Sequence, residues 1–282
     1  MQICRTLEEI RALTSKARGE GKTVGLVPTM GYFHEGHLNL MREAKKKCDV
    51  VVVSLFVNPL QFGPKEDLGV YPRDFERDCS MAMSVGVDAV FAPGNDDMYP
   101  KGYNSFVEVT GITDKLCGLS RPSHFRGVTT VVAKLFNIVR PNQAFFGQKD
   151  AQQVLVIEKM VRDLNMGLEI ITVPIVREVD GLAMSSRNVY LNAEQRQVAP
   201  VLYQSLCAFQ DAVSKGERSV PKLRLGIEKM ILSAPGADIE YVEILSVPEL
   251  ESLDIVNGKC IAALAVRFGK TRLIDNMVVG GI

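Results

Sequence analysis

The chain has 282 residues, long enough for two domains and a sizeable core. Lysine plus arginine equals aspartate plus glutamate, at 33 each, so no global field favours nucleic acid or an anionic membrane, and local charge must do any ligand work. The six cysteines are scattered without a CxxC pair and several fall in apolar runs, which argues against a disulfide framework or zinc site and for reduced thiols in a cytoplasmic protein.

The first residues, MQICRTLEEIRALTSKARGEGK, carry charges every few positions with helical periodicity and lack the apolar core of a signal peptide. No later run reaches transmembrane length. Thr23 to Met30 is short, β-branched and apolar, bounded by Gly21 and Gly31, and reads as a buried strand. TMGYFHEGH follows, Thr29 to His37, and holds two of the three histidines. Glu35 to Cys48 has apolar positions at Leu38, Met41 and Ala44, the spacing of one helical face, so a helix is expected to start near His37. The apolar run Val50 to Val57 completes a strand, helix, strand unit with a parallel crossover. Its first loop lies at the carboxyl end of a strand, where open α/β sheets bind ligands and helix-start amides attract phosphate. His34 and His37, about one helical turn apart, are placed to meet such a phosphate and stabilise charge growing on it. The pair alone is equally compatible with surface residues or a helix cap, and the flanking strand and helix favour the site. A zinc pair would need a third ligand at metal spacing, which is missing.

Asn58-Pro59-Leu60-Gln61-Phe62 follows the second strand, and its amides offer donors and acceptors to a small polar molecule or make a plain turn. Alternation continues with a helix near Asp74 to Val85, a short strand at Asp88 to Phe91 and a possible strand at Ser105 to Val109. The basic and polar run Arg121 to Arg126, with the third histidine, precedes a buried helix from Arg126 to Val139, and it either borders the same cleft or is only a loop. Gln143 to Phe146 reads as a strand, Lys149 to Asn165 as an amphipathic helix and Glu169 to Val176 as a strand. Between the first two lies FGQKDAQQ, where Lys149 opposes the helix dipole and so is better placed to meet an anion than to stabilise the helix. Met184-Ser185-Ser186-Arg187-Asn188 offers two hydroxyls and a guanidinium for phosphate oxygens. Asn192 to Lys215, capped by Asn192, and Val220 to Leu232 read as long helices. Strands follow at Asp238 to Val247, Lys259 to Phe268 and Thr271 to Val278, the last two joined by a turn at Gly269-Lys270. The expected fold class is α/β: a doubly wound, Rossmann-like parallel sheet of five strands over residues 1–178, then a smaller α+β domain over 179–282. The GxGxxG fingerprint of nicotinamide and flavin sites is absent.

Taken together, TMGYFHEGH, NPLQF, FGQKDAQQ and AMSSRN resemble the pantoate–β-alanine ligases (pantothenate synthetases) of the HxGH nucleotidylyltransferase superfamily, over nearly the whole chain. HxGH alone marks only the superfamily; the four motifs in this order are far more specific. The resemblance implies that ATP and (R)-pantoate give a pantoyl adenylate and pyrophosphate, and that β-alanine then releases pantothenate and AMP. It places Met30, Gly31, Tyr32, Phe33, His34, Glu35, Gly36 and His37 along ATP, with His37 as the proton donor. It adds Gly147, Gln148, Lys149 and Asp150, then Val176 on the adenine side, then Met184, Ser185, Ser186 and Arg187 as a closing loop. His37, His34, Lys149 and Arg187 would carry the chemistry. Gln61 and Gln153 would hold pantoate with Asn58 nearby, and Gln61 would also meet β-alanine. The resemblance further implies Mg²⁺ on the ATP phosphates without a protein metal cage, a homodimer, a second domain that closes over the site, and no nucleic-acid or membrane partner. One departure is Gln148, in a slot often acidic in the family. Two other functions share parts of the pattern. An adenylyltransferase acting on a phosphorylated acceptor would not need Gln61 and Gln153, and a non-catalytic nucleotide sensor would not need the transition-state donors.

Overall fold

The computed structural model describes residues 1–63 and 66–280. Its contacts form two compact units, one of Met1–Gln148 with Gln152–Pro174, the other of Lys149–Ala151 with the chain from Ile175 onward.

The first unit is an open parallel sheet of six strands, β1 (Gln2–Cys4), β2 (Val24–Thr29), β3 (Val50–Leu55), β4 (Ala89–Phe91), β5 (Gln143–Gly147) and β6 (Glu169–Val173), in the order β1-β4-β3-β2-β5-β6. The five expected sheet strands are present, with β1 in addition. That strand is three residues long and sits at the sheet edge beside β4, too short for a period to show in the sequence. The helix expected behind it is α1 (Leu7–Gly19), started by a reciprocal capping box between Thr6 and Glu9. The remaining helices of this unit are α2 (Glu35–Lys47), α3 (Phe75–Ser84), the short α4 (Asn95–Met98) and α5 (Cys117–Ser120), α6 (His124–Val139) and α7 (Ala151–Asp163). β6 ends before Pro174, which has no N–H to continue the ladder, and so stops short of the expected Val176.

Two departures have plain causes. Ser105 to Val109 is not a strand: the Val107 amide donates to the Thr130 hydroxyl (3.0 Å) and the Thr129 hydroxyl donates to the Val107 carbonyl (2.6 Å), so helix side chains take the bonds a ladder would use. The segment from Asn192 is two helices, α8 (Ala193–Val198) and α9 (Val201–Ser214), because Pro200 interrupts the backbone bonding between them. Asn192 does cap the first, accepting from the Gln195 amide at 2.9 Å.

Topology positions the site. The strand order reverses direction between β2 and β5, which pair in parallel at Gly25–Gln143 and Leu26–Ala144 only, whereas β2 stays paired with β3 through Thr29. Pro28, with no N–H to give, lies where β2 and β5 part, at the switch point beyond which open α/β sheets bind their ligands. α6 is buried almost all round and approaches the Asn58–Gln61 turn so closely that a Cβ on Gly127 would lie 2.3 Å from the Leu60 carbonyl oxygen.

The second unit holds α8, α9, α10 (Val220–Leu232) and an antiparallel sheet of β7 (Ala237–Ser246), β8 (Cys260–Phe268) and β9 (Thr271–Val279), with β8 central. Val220, Leu223, Ile227 and Ile231 form the buried stripe of α10, each side chain contributing about 2 kcal/mol on burial. Asp275 of β9 is buried at 3% exposure and takes a two-point ion pair from Arg177, Nη1 to Oδ2 at 2.6 Å and Nη2 to Oδ1 at 3.0 Å. Arg177 also donates to the Gly181 carbonyl (3.1 Å) and lies 3.9 Å above the Tyr203 ring. Replacing Asp275 with alanine strands that guanidinium. We expect a loss of about 3 kcal/mol, measured as a lowered midpoint in urea unfolding, and an unchanged midpoint would show that solvent compensates Arg177.

Candidate active site

The site begins where β2 ends. Gly31 and Tyr32 both adopt positive φ, +87° and +53°, and for a tyrosine that conformation is strained. Asp78 on α3 holds it in place: its Oδ2 accepts the Tyr32 amide and its Oδ1 the Phe33 amide, each at 2.7 Å. A Cβ on Gly31 would lie 2.9 Å from Asp78 Oδ2, so only glycine admits the carboxylate this closely. Asp78 is 1% exposed, and burial raises its pKa above the ordinary aspartate value while the Phe33 and Tyr32 amides oppose that rise. Arg77 closes the other side, donating to the Phe33 carbonyl at 3.0 Å with its guanidinium 5.3 Å from the Tyr32 ring centre. Sequence reasoning misses Asp78. The available signal is an acid next to Cys79 on the otherwise apolar stripe Phe75, Cys79, Ala82 of an amphipathic helix.

The loop delivers the chain into α2, which starts at Glu35, two residues before the expected His37. His34 is its cap. His34 Nδ1 accepts the Gly36 amide (3.1 Å), and His37 Nδ1 accepts the His34 amide (3.3 Å), a histidine version of the reciprocal capping box. A backbone N–H only donates, so both Nδ1 atoms carry lone pairs and the neutral rings hold their protons on Nε2. The rings lie 4.1 Å apart, and Phe33, 1% exposed, backs His37 at 5.4 Å. Glu35 turns its carboxylate along the helix surface to Arg42, leaving its backbone as its contribution to the loop.

The Asn58 to Gln61 turn adjoins this loop, since Gln61 Nε2 lies 3.0 Å from Met30 Sδ. Asn58 is 1% exposed and its side chain is fully engaged: Nδ2 donates to Gln61 Oε1 (3.2 Å) and the Gly127 carbonyl (3.0 Å), while Oδ1 accepts from the Leu60 amide (3.3 Å) and Tyr99 hydroxyl (2.7 Å). Asn58 therefore orients Gln61, whose Nε2 donates to Met30 Sδ. On α7 the two neighbouring amides divide their work. Gln152 is buried and bonded to Ile112, Lys115 and Cys117 of the backbone, whereas Gln153 is half-buried.

At the end of β5, Gly147 faces open space and passes into a 3-10 turn of Gln148, Lys149 and Asp150, with Asp150 exposed. The turn precedes the α-helix expected to start at Lys149. Within the second unit, Asn276 Nδ2 donates to the Lys149 carbonyl at 3.0 Å. The same unit brings Val176 and Met184 together, the Met184 amide donating to the Val176 carbonyl at 3.0 Å. Ser185 Oγ accepts the Arg187 amide (3.2 Å) and caps the turn Ser186–Tyr190, while Asn188 ties that turn to Glu178 and to the Ala183 carbonyl. Ser186 and Arg187 are half-buried. Among the described residues no group of three or more His, Cys, Asp or Glu is placed to hold a metal ion, and no helix is long and apolar enough to cross a membrane.

An open parallel sheet with a histidine-capped helix at its switch point defines an α/β enzyme of the nucleotide-binding class. The pantoate–β-alanine ligase family model matches residues 2–278, and the chain belongs to that family. It is 61% identical over 280 residues to the pantothenate synthetase of Pelotomaculum thermopropionicum and 55% identical to that of Carboxydothermus hydrogenoformans, each covering 99% of both chains. Among solved structures, pantothenate synthetase from Thermus thermophilus superposes with a TM-score of 0.94 at 45% identity, covering 98% of this chain and 99% of that one. A Francisella tularensis pantoate–β-alanine ligase complexed with a β-γ ATP compound and β-alanine superposes at 0.81 with 35% identity, covering 99% and 97%.

Asp78→Asn tests the anchor of the loop. The amide keeps the shape but turns one acceptor into a donor facing an N–H, which costs about 1–3 kcal/mol. The Tyr32 and Phe33 amides should lose hydrogen-exchange protection selectively, and unchanged protection would show that the loop holds itself.

Proposed function

We propose that this chain joins (R)-pantoate to β-alanine at the expense of ATP, through a pantoyl adenylate, and so makes pantothenate. The observation that carries this is the reciprocal capping of His34 and His37, which commits both Nδ1 atoms to the backbone and so puts the proton of each neutral ring on Nε2, in the loop at the carboxyl end of β2. Family membership and the relatives' activities support it.

In the first step a pantoate carboxylate oxygen attacks the α-phosphorus. A P–O bond forms, the bridging bond to the β-phosphate breaks, and pyrophosphate leaves. Charge builds on the phosphoryl oxygens, and fixed donors stabilise it without reorganising. His34 and His37 supply two, with His37 donating to the reacting phosphate. Lys149, Ser185, Ser186 and Arg187 supply the others to the triphosphate of the same ATP. Met30 to His37, Gly147 to Asp150, Val176 and Met184 to Arg187 are the ATP contacts; Glu35 and Gln148 act through their backbone. Gln61 and Gln153 hold pantoate, and Asn58 serves by orienting Gln61. In the second step the β-alanine amine, held beside Gln61 and having lost its ammonium proton to water, attacks the acyl carbon; the C–N bond forms as the acyl–phosphate C–O bond breaks, AMP leaves, and a second amine proton passes to water or to the departing phosphate. Water would hydrolyse the adenylate between the steps, and the smaller domain, residues 179–282, is proposed to close and exclude it.

Mg²⁺ belongs to the substrate in this scheme, entering as MgATP. A homodimer completes the proposal, and a reducing cytoplasm is supported by six free cysteines of which four are buried.

The direct test is to supply MgATP, (R)-pantoate and β-alanine and follow AMP and pantothenate. Equimolar appearance of both is expected; an adenylyltransferase or a sensor would give neither. His37→Ala should lower pantoate-dependent pyrophosphate exchange by about 10²–10³-fold with the fold intact, and near-normal exchange would remove His37 from the chemistry.

A further inference from the structure

Gln61 is gripped at both ends. Asn58 fixes its side-chain amide, and two residues of the Arg121 to Arg126 segment fix its backbone: its carbonyl oxygen lies 3.1 Å from Arg121 Nη2 and 2.9 Å from His124 Nδ1. A carbonyl only accepts, so His124 carries a proton on Nδ1; a guanidinium only donates, so His124 Nε2, 3.3 Å from Arg121 Nη1, offers it a lone pair. These contacts require the neutral ring in one tautomer, opposite to that of His34 and His37. Arg121 is in turn held by Glu66, whose Oε1 accepts from its Nε at 2.7 Å. Burial alone would raise the pKa of the Glu66 carboxyl, but the Arg121 pairing outweighs that and holds it below the usual glutamate value. His124 is 9% exposed.

We infer that Arg121 and His124 are positioning residues for pantoate, acting through the Gln61 carbonyl to fix where the Gln61 amide presents its donors. The inference rests on the assignment of Gln61 to pantoate. A glutamine has three rotatable side-chain bonds, so its amide is a selective donor only when backbone and tip are both held. Two donors on one carbonyl set the backbone end, and Asn58 sets the tip. Arg121 and His124 need touch no substrate to govern its recognition, and their loss should act on pantoate far more than on ATP.

The test compares KM for pantoate and KM for ATP in pantoate-dependent pyrophosphate exchange for four variants. Gln61→Ala is the control, and it must raise the pantoate KM; if it does not, the assignment of Gln61 and the inference both fail. His124→Leu removes the Nδ1 donor and should raise the pantoate KM about three- to tenfold, with the ATP KM within twofold. His124→Asn places an amide donor where Nδ1 stood and should restore most of the lost pantoate affinity. Arg121→Lys keeps the charge opposite Glu66 but loses the fork that reaches Gln61, and should repeat the selective rise even if His124→Leu folds poorly. A pantoate KM unchanged in both His124→Leu and Arg121→Lys, while Gln61→Ala raises it, overturns the inference alone. Parallel rises in both KM values, or no rescue by asparagine, overturn it as well, because a merely structural segment would give either pattern.

Discussion

The first turn of α2 is the constraint on which the site depends. A helix must satisfy its leading amides, and serine, threonine or aspartate usually does so. Here two histidines take that work, each accepting one backbone N–H through Nδ1. The local requirement of helix capping thereby sets a chemical property, the tautomer, and the tautomer decides which nitrogen a ligand meets. Capping alone would not aim the rings. The chain reaches the cap through two consecutive left-handed residues, and Asp78 holds that turn by two amides from a helix that follows β3 in sequence. The strained turn, its buried anchor and the capping pair are therefore one device.

The same division of labour recurs around Gln61. A residue expected to touch substrate is surrounded by residues whose hydrogen bonds are spent on holding it, Asn58 at the tip and Arg121 with His124 at the carbonyl. All three histidines thus act through one ring nitrogen on the backbone. In the second unit Asn276 does the corresponding work for Lys149, bonding its carbonyl from β9, so the lysine belongs with the residues after Ile175 although it lies within the sequence of the sheet. Arg177 and Asp275 stiffen the loop that carries Val176 and Met184.

Much of this is legible in the sequence because it rests on local pattern. The apolar runs of β2 and β3, the stripe Leu38, Met41, Ala44 and the Asn192 cap are written within a few residues, and they appear where the spacing puts them. The motif residues at strand ends are equally visible. What escapes depends on partners far away in the chain. β1 is a strand only because β4 offers it an edge, and Ser105 to Val109 is not one because two threonines of α6 claim its backbone. Asp78 and Arg121 look like ordinary helix and loop charges until the Tyr32 amide and the Gln61 carbonyl are brought to them, across 46 and 60 residues. Asn58 reads as a substrate neighbour because sequence shows an amide but not whether its hydrogen bonds are already spent.

The central claim is that backbone capping sets the histidine tautomers. The chain has only three histidines, so ¹⁵N-labelled histidine gives three ring systems, assignable by single substitutions. Long-range ¹H–¹⁵N correlation spectra at a pH where the rings are neutral should show His34 and His37 protonated on Nε2 and His124 protonated on Nδ1. A proton on Nδ1 of either His34 or His37 would contradict the account, because that nitrogen cannot then accept the amide that starts the helix.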